Sequence, residues 1–297
     1  MLERLAGNMA LKSELGAALG AGRLPHAILL VGEPGCGAGF AARCLAADYL
    51  YPQGGPHAEA VLKKEDTECL VLQGEGASGQ IAVKRVREMR EAIQRSALST
   101  DAAGRVLFIY GAQNLNGSSA NAMLKIIEEP PEGVLFVLPT IRSRCAAYTI
   151  APVPTDECAA LLTREGLPAR LAQELAFLYE GHIGTALQAF RNDTFKAALG
   201  LAKELCSYAA QNDTYRTLVL VTKYERDRES FLALLWQLDQ LCSAVLRRPT
   251  YGAEQCGGLT PDRAAQILQV SAATRKTVTG NGNLRLAVAV FAAEAAR

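Results

Sequence analysis

The chain has 297 residues, of which 49% are hydrophobic. This length and composition predict two or three globular domains, each with its own core. The 31 basic and 30 acidic residues leave a formal charge of +1. That balance excludes the basic field of a protein that binds nucleic acid unaided, so any DNA contact must be local or shared with partners.

No apolar run reaches the roughly 18 residues of a membrane span, and the start, Met1-Leu2-Glu3-Arg4, lacks a signal-like apolar block. We therefore expect a cytoplasmic protein that does not contact membranes.

The cysteines are scattered along the chain without a Cys-x-x-Cys pair, at positions 36, 44, 69, 145, 158, 206, 242 and 256. Scattered thiols of this kind are typical of buried cysteines in a reducing compartment. The sequence therefore predicts free thiols and no zinc site.

Strand-like and helix-like segments alternate over the first 150 residues, which is typical of a mostly parallel sheet covered by helices. The predicted strands are short apolar runs bounded by glycine, proline or polar residues, and they cover residues 27–31, 69–72, 106–110 and 134–138. The predicted helices cover residues 8–19, 38–50, 81–98 and 118–129. The fold class of this part is therefore α/β.

A domain boundary is predicted at Ala151-Pro152-Val153-Pro154, because prolines remove backbone donors and disfavour helix in the residue before them. Beyond it only helical patterns occur, beginning at Thr155-Asp156. They cover residues 156–164, 168–179, 194–210, 229–246, 261–278 and 284–296. A second boundary between 192 and 214 is weakly marked, and the predicted domains are 1–150, 151–205 and 206–297.

The segment Gly32-Glu33-Pro34-Gly35-Cys36-Gly37-Ala38-Gly39 lies between the first predicted strand and a predicted helix. It keeps the glycines of a phosphate loop, Gly-x-x-x-x-Gly-Lys-Ser/Thr, whose backbone N–H groups hold phosphates. Ala38 replaces the lysine that contacts the terminal phosphates, and Gly39 replaces the hydroxyl that binds magnesium. Losing the charged contact makes the free energy of phosphate binding less favourable by about 1.5–3 kcal/mol. Gly32, Gly35, Gly37, Ala38 and Gly39 thus predict weak or no binding of ATP, ADP or another anion, and an ordinary strand-to-helix turn explains the glycines equally well.

The strand predicted at 106–110 shows a second change. A working nucleotide site presents acidic residues there for magnesium and water, whereas this strand ends in Tyr110-Gly111. Two independent changes indicate a nucleotide-binding fold whose own site has lost its chemistry.

One predicted helix carries a specific resemblance. The stretch Ala120-Asn121-Ala122-Met123-Leu124-Lys125-Ile126-Ile127-Glu128-Glu129-Pro130-Pro131 closely resembles the Ala-Asn-Ala-Leu-Leu-Lys-x-Leu-Glu-Glu-Pro-Pro helix of bacterial clamp-loader subunits, which are AAA+ proteins. Ala120, Met123, Leu124 and Ile127 form a predicted apolar stripe, and weaker matches extend over most of the chain. The resemblance implies a P-loop NTPase-like domain, a small helical lid domain and a C-terminal helical collar that assembles the subunits.

The same family has a Ser-Arg-Cys motif, which is matched here by Ser143-Arg144-Cys145. The resemblance implies that Arg144, between Ser143 and Cys145, is an arginine finger that reaches the ATP site of a neighbouring subunit. Such a group accelerates hydrolysis by about 10³- to 10⁵-fold. Taken alone, Arg144 is an ordinary surface arginine. In the match Gly181-His182-Ile183-Gly184-Thr185, Thr185 stands where related ATPases place a nucleotide-sensing arginine.

Motor subunits of the family, gamma and tau, combine the finger with an intact phosphate loop, whereas another member keeps the finger and commonly has a defective loop. This sequence shows the second combination. The resemblance therefore implies a subunit of DNA polymerase III without enzyme activity or cofactor of its own. Its implied partners are the gamma/tau motor subunits and the delta subunit, with the sliding clamp and primed DNA contacted through the complex. The alternatives are an autonomous or gamma/tau-like ATPase and a stand-alone nucleotide sensor.

Three details depart from the family or stay open. Family members usually carry a four-cysteine zinc module, but residues 52–67 contain no cysteine and only His57. Relatives also insert about ten residues near Leu138-Pro139, so a loop is either deleted there or missing from the sequence, and the undistorted flanks favour the second interpretation. Basic residues at 84, 85, 87, 90 and 95 alternate with Glu88 and Glu91, which favours a solvated helix face over a DNA contact.

Overall fold

The structure is a computed structural model, and it describes residues 1–75, 79–94, 99, 101–138, 146–280 and 282–295. The chain forms two compact units. The first consists of Met1–Glu157 with His182–Gly184, and the second of Cys158–Gly181 with Thr185–Arg297. The first unit is α/β and the second is helical, as the sequence predicts.

A parallel sheet forms the middle of the first unit, and its strands are β1 (Ala27–Gly32), β2 (Cys69–Leu72), β3 (Arg105–Ile109), β4 (Val134–Leu138) and β5 (Ala146–Ile150). Their order is β2-β3-β4-β1-β5, so β1 lies between β4 and β5. The four predicted strands are confirmed to within one residue at each end. The fifth, β5, was not predicted, because it is an edge strand whose alternate residues are only half-buried or exposed.

Helices cover both faces of this sheet, because successive strand residues point to opposite sides. In β1, Ile28 and Leu30 belong to the core under one face, while Ala27 and Leu29 belong to the core under the other. The first core is covered by α1 (Met9–Gly20), α2 (Ala38–Leu50) and α3 (Pro56–Lys63), and the second by α4 (Val83–Ile93) and α5 (Gly117–Glu128).

The helix predictions need three corrections in this unit. Helix α3 was missed, because it has only eight residues and begins with a proline. Helix α4 begins at Val83 rather than at residue 81, and residues 95–98 of its predicted end lie outside the described residues. In α5 the buried apolar residues are Met123, Ile126 and Ile127, so the stripe is rotated away from the predicted Ala120 and Leu124.

The described chain beyond Ile150 is helical. Helices α6, α7, α9, α11, α13 and α14 confirm the predicted segments to within one residue, although residue 296 is outside the described part. The shorter helices α8, α10 and α12 were missed, since seven to nine residues give a weak periodic signal. The helices are α6 (Thr155–Arg164), α7 (Ala169–Leu178), α8 (Ile183–Arg191), α9 (Asp193–Ala210), α10 (Thr214–Thr222), α11 (Arg228–Arg247), α12 (Pro249–Gln255), α13 (Pro261–Thr279) and α14 (Leu284–Ala295).

Buried aromatic contacts stabilise the helical unit. The rings of Phe231 and Phe291 meet edge to face with centroids 5.9 Å apart, and Tyr179 stacks on Trp236 at the same distance. The predicted boundary at residue 205 falls inside the continuous helix α9, and the division into lid and collar domains stays a prediction. Among the described helices, none combines the length and the apolarity needed to cross a membrane.

Candidate functional site

The loop of residues 33–37 connects β1 to α2 at the carboxyl end of β1. It turns at Gly35 and Gly37, whose φ angles are +91° and +99°, a region that residues with a Cβ rarely adopt. The Cys36 N–H donates to the Glu33 carbonyl at 3.1 Å, and the Phe40 N–H donates to the Gly37 carbonyl at 2.9 Å. The chain therefore keeps the strand-to-helix turn of a phosphate loop.

A small apolar cavity of about 20 Å³ lies beside this loop. Ala38 and Gly39 line it from α2, Tyr110 lines it from the end of β3, and Leu138 from the end of β4. The Tyr110 ring stacks on Phe108, with centroids 6.2 Å apart. These side chains line the cavity with largely apolar surface, and the loss of a nucleotide site's lysine, hydroxyl and carboxylate at positions 38, 39 and 110 stays a prediction.

The side chains of the loop do not supply a positive charge. Cys36 is 4% exposed, and burial raises the pKa of its thiol, so the sulfur stays protonated and neutral. Glu33, the loop's charged residue, is an acid that opposes an anionic ligand. The loop therefore presents backbone N–H groups without the cation that normally accompanies them.

A second segment of the same unit, residues 182–184, contacts the loop. The Gly184 N–H donates to the Gly35 carbonyl at 2.8 Å, and His182 Nε2 lies 2.9 Å from Glu33 Oε2. A Cβ added at Gly184 would lie 3.0 Å from the Gly35 carbonyl oxygen, so a larger residue there requires the loop to shift slightly. We call residues 182–184 the loop latch. The sequence alone did not predict this contact, and the glycines at 181 and 184 were the available signal.

The predicted finger motif, Ser143, Arg144 and Cys145, lies outside the described residues, as does Pro139. An intact peptide bond would set the Cα atoms of Leu138 and Pro139 about 3.8 Å apart and would show that the loop is deleted. Because Pro139 is not described, this distance is not described either. The flanking strands are described: Leu138 of β4 is paired beside Leu29, and Ala146 of β5 beside Ile28. The motif thus belongs to the segment that joins the two strands on either side of β1.

Thr185, at the predicted sensor position, begins the part of α8 that belongs to the helical unit and is 8% exposed. Its short hydroxyl cannot replace a guanidinium. The position therefore lacks the cation that the family's ATPases carry there.

The region of the family's zinc module is occupied by α3 and a hydrogen-bonded cluster. Tyr51 donates its hydroxyl hydrogen to Asp66 Oδ2 at 2.9 Å, and the His57 ring stacks on Tyr51. Burial raises the pKa of Cys44 and Cys69 to about 12, so neither is a ready thiolate ligand. No three His, Cys, Asp or Glu side chains in the described part of the chain are placed to hold a metal. The absence of zinc stays a prediction.

The basic face of α4 is partly neutralised. Arg85 lies 3.3 Å from Glu88 and 3.5 Å from Glu75, and Lys84 lies 3.9 Å from Glu88. This pattern fits the solvated face that the sequence favours. Arg95 lies outside the described residues, and a DNA contact by α4 stays untested.

The parallel sheet with strand order β2-β3-β4-β1-β5, the phosphate-loop turn after β1 and the helical unit that follows define a P-loop protein of the AAA+ class. A family model described as "DNA polymerase III, delta subunit" matches residues 7–154. The chain is 28% identical to the DNA polymerase III subunit delta' of Escherichia coli, over 86% of this chain and 83% of that one. It belongs to the delta-prime family of clamp-loader AAA+ proteins.

Two further comparisons agree with the fold. The DNA polymerase III subunit gamma/tau of Mycobacterium tuberculosis is 34% identical over 50% of this chain and 28% of its own length. The solved structure of a DNA polymerase III gamma subunit-related protein from Thermotoga maritima superposes with a TM-score of 0.51 at 18% identity, covering 95% of this chain and 99% of that one. That likeness supports the fold alone.

Proposed function

We propose that the chain is a non-hydrolysing clamp-loader subunit that completes a ring of related ATPases and helps them load the sliding clamp onto primed DNA. The apolar cavity beside the loop carries this proposal, because Ala38, Gly39 and Tyr110 stand where phosphate and magnesium ligands are needed. Its partners are the gamma/tau motor subunits and the delta subunit. It uses no cofactor, and nucleotide binds weakly or not at all.

We also propose that Arg144 acts in trans on the ATP site of a neighbouring subunit. The proposal is supported by the Ser143-Arg144-Cys145 motif and by its position in the segment between β4 and β5. A guanidinium suits this role, because it stays charged and can form two parallel hydrogen bonds to phosphate oxygens. It stabilises the negative charge that develops on the transferred phosphoryl group.

The experiment is reconstitution with the motor and delta subunits, comparing Arg144→Ala with the wild type and with the adjacent control Arg142→Ala. We expect normal assembly in all three, and DNA-stimulated ATP hydrolysis reduced only by Arg144→Ala, with a loss of about 10³-fold or more at the affected site. Equal rates for Arg144→Ala and Arg142→Ala would remove the finger role and leave the scaffold role standing.

A separate measurement tests the missing activity. The isolated chain with ATP and magnesium is expected to show no hydrolysis above background. Turnover comparable to that of a motor subunit would instead make it a gamma/tau-like ATPase. Micromolar ATP binding without turnover would favour a nucleotide sensor.

Assembly is proposed to use the helical unit. Helix α10 packs against α14, and together they expose a set of apolar side chains that we call the α10–α14 patch, namely Tyr215, Leu218, Val219, Leu286 and Val290. Tyr215 is 76% and Leu286 64% exposed. Large apolar side chains exposed on packed helices are typical of contacts between subunits.

A further inference from the structure

Three cysteines of the helical unit meet although they lie far apart in the sequence. Cys206 is on α9, Cys242 is on α11, and Cys256 follows α12. Each is 0% exposed, and the pKa of the Cys206 thiol is raised by its interaction with both of the others. Neither the phosphate loop nor the finger motif involves these residues.

Neighbouring contacts independently place Cys256 against the other two. The Cys256 thiol donates to the carbonyl of Leu241, the residue before Cys242, with sulfur and oxygen 3.9 Å apart. A Cβ added at Gly257 would lie 2.8 Å from Cβ and Oγ of Ser207, the residue after Cys206. The turn after α12 therefore runs directly along α9, and Gly257, with φ +63°, allows this approach.

Cys256 and Cys206 differ in their tendency to ionise. The hydrogen bond from Cys206 lowers the pKa of Cys256, and the charge of Lys203 acts in the same direction against burial. Hydrogen bonds to Cys242 and Cys256, together with burial, raise the pKa of Cys206 well above its ordinary value. Because the thiolate is the nucleophile in thiol–disulfide exchange, Cys256 is the attacking sulfur and Cys206 supplies the second thiol.

We propose that Cys256 and Cys206 form a redox modification site that reacts with small-molecule disulfides and closes into an internal disulfide. The Cys256 thiolate attacks one sulfur of the oxidant, forming a mixed disulfide and releasing one thiolate, which takes up a proton. Cys206 then loses its proton and attacks the Cys256 sulfur, releasing the second thiol. In sum, one protein dithiol and one small disulfide give one protein disulfide and two small thiols.

The fold determines the rate at which this disulfide forms and its effect on the stability of the chain. Because all three sulfurs are buried, the oxidant reaches them only during local opening, and Cys256 directly follows the short helix α12. Exchange is therefore expected within minutes to hours. The bond would join α9 to the end of α12 and close a long loop that contains α10 and α11, which restricts the unfolded chain.

The test uses the full chain and glutathione disulfide. After incubation, free thiols are alkylated in denaturant, and the intact mass and the non-reduced peptide map are measured. We expect the oxidised chain to carry two fewer alkyl groups than the reduced, fully alkylated chain, with Cys206 and Cys256 linked in one peptide pair. The oxidised helical unit is also expected to melt at a higher temperature than the reduced one.

Three variants complete the test. Cys206→Ala is expected to stop at the glutathione adduct on Cys256, whereas Cys242→Ala and the control Cys158→Ala, a buried thiol on α6, still form the bond. A wild-type map with Cys206 and Cys256 both free, or with Cys206 linked to Cys242 instead, would overturn the proposal. The wild-type map decides the question even if a variant fails to fold.

Discussion

His182 Nε2 lies 2.9 Å from Glu33 Oε2, which connects the loop latch to the first residue of the loop between β1 and α2. Two residues further along the chain, the Gly184 N–H donates a hydrogen bond to the Gly35 carbonyl. These two contacts within the same unit therefore support the shape of the loop.

The latch can be tested at Gly184. Gly184→Ala places a Cβ 3.0 Å from the Gly35 carbonyl oxygen, so either the hydrogen bond or the loop must shift. We expect faster hydrogen exchange at residues 33–37 and a loss of stability of about 1 kcal/mol or more. The control is Gly200→Ala, which meets no atom within 4 Å and is expected to leave this exchange unchanged. Unchanged exchange in Gly184→Ala would show that the latch does not hold the loop.

The phosphate contacts expected of the loop can be introduced by substitution without adding an acidic residue at position 110. The double variant Ala38→Lys with Gly39→Thr regains the charged contact and the hydroxyl, so ATP affinity measured by calorimetry is expected to rise roughly tenfold to a hundredfold. Hydrolysis is expected to stay absent, because Tyr110 still occupies the carboxylate position. The uncharged control Ala38→Gln with Gly39→Thr is expected to gain much less. Turnover in the double variant would contradict the role assigned to Tyr110.

A buried ion pair anchors β3 and provides a stability prediction. Arg105 Nε donates to Glu68 Oε2 at 3.0 Å, and Glu68 Oε1 accepts from the Ser99 N–H at 2.8 Å. Glu68→Gln removes the negative charge that faces the buried guanidinium and is expected to cost about 3–5 kcal/mol in urea unfolding. Glu59→Gln, which breaks the exposed pair with Arg4, is expected to cost far less. Similar losses for the two variants would contradict this assignment.

Asp239 gives a pH prediction for the helical unit. Burial raises the pKa of its carboxyl, although Ser271 and the ion pair with Arg275 lower it in part. An acid with a raised pKa in the folded state stabilises the fold below its unfolded pKa of about 4, and this contribution is lost as pH rises through the folded pKa. The unfolding free energy of the wild type, followed by Trp236 fluorescence, is therefore expected to fall relative to Asp239→Asn as pH rises above about 4.

Asp227 serves as the opposite control. Hydrogen bonds from Ser230 lower the pKa of its carboxyl, so its contribution is present above the unfolded pKa and lost as pH falls through the folded one. Asp227→Asn should therefore show the reverse trend. The same trend in both variants would be inconsistent with the burial of Asp239.

The α10–α14 patch predicts a separation of assembly from folding. Leu286→Asp is expected to weaken binding to the motor subunits while leaving the thermal unfolding of the isolated chain nearly unchanged, since Leu286 is 64% exposed. Met9→Asp is the matched control, because Met9 is 69% exposed and lies in the α/β unit. Gel filtration of the mixture and surface plasmon resonance measure the binding. Equal binding by both variants would exclude the patch as an assembly surface.

Much of the fold could be predicted from the sequence because its elements are regular and strongly apolar. The buried strand β4 and the helix α2 match their predicted bounds without change. The short helices and the edge strand β5 were missed, because their placement depends on tertiary packing rather than on a local pattern. In α5, Ile126 was overlooked because an apolar stripe can be assigned to either of two adjacent helix faces.

The candidate site also has one part that could be predicted from the sequence and one part that could not. The losses at Ala38, Gly39 and Tyr110 could be inferred from a motif, since each stands at a fixed position relative to a strand. The latch could not, because His182 and Glu33 are distant in the sequence and meet only in the folded unit. Local spacing does not specify such a contact.

The turn after β1 also constrains how this protein can evolve. Its backbone depends on two left-handed glycines and on the hydrogen bond from Gly184, whereas Ala38 and Gly39 contribute little more than their place in the first turn of α2. The shape of the turn and the chemistry of its side chains therefore depend on different residues. Natural variants of this chain are therefore expected to exchange residues 38 and 39 more readily than Gly35, Gly37 and Gly184, on which the backbone of the turn depends.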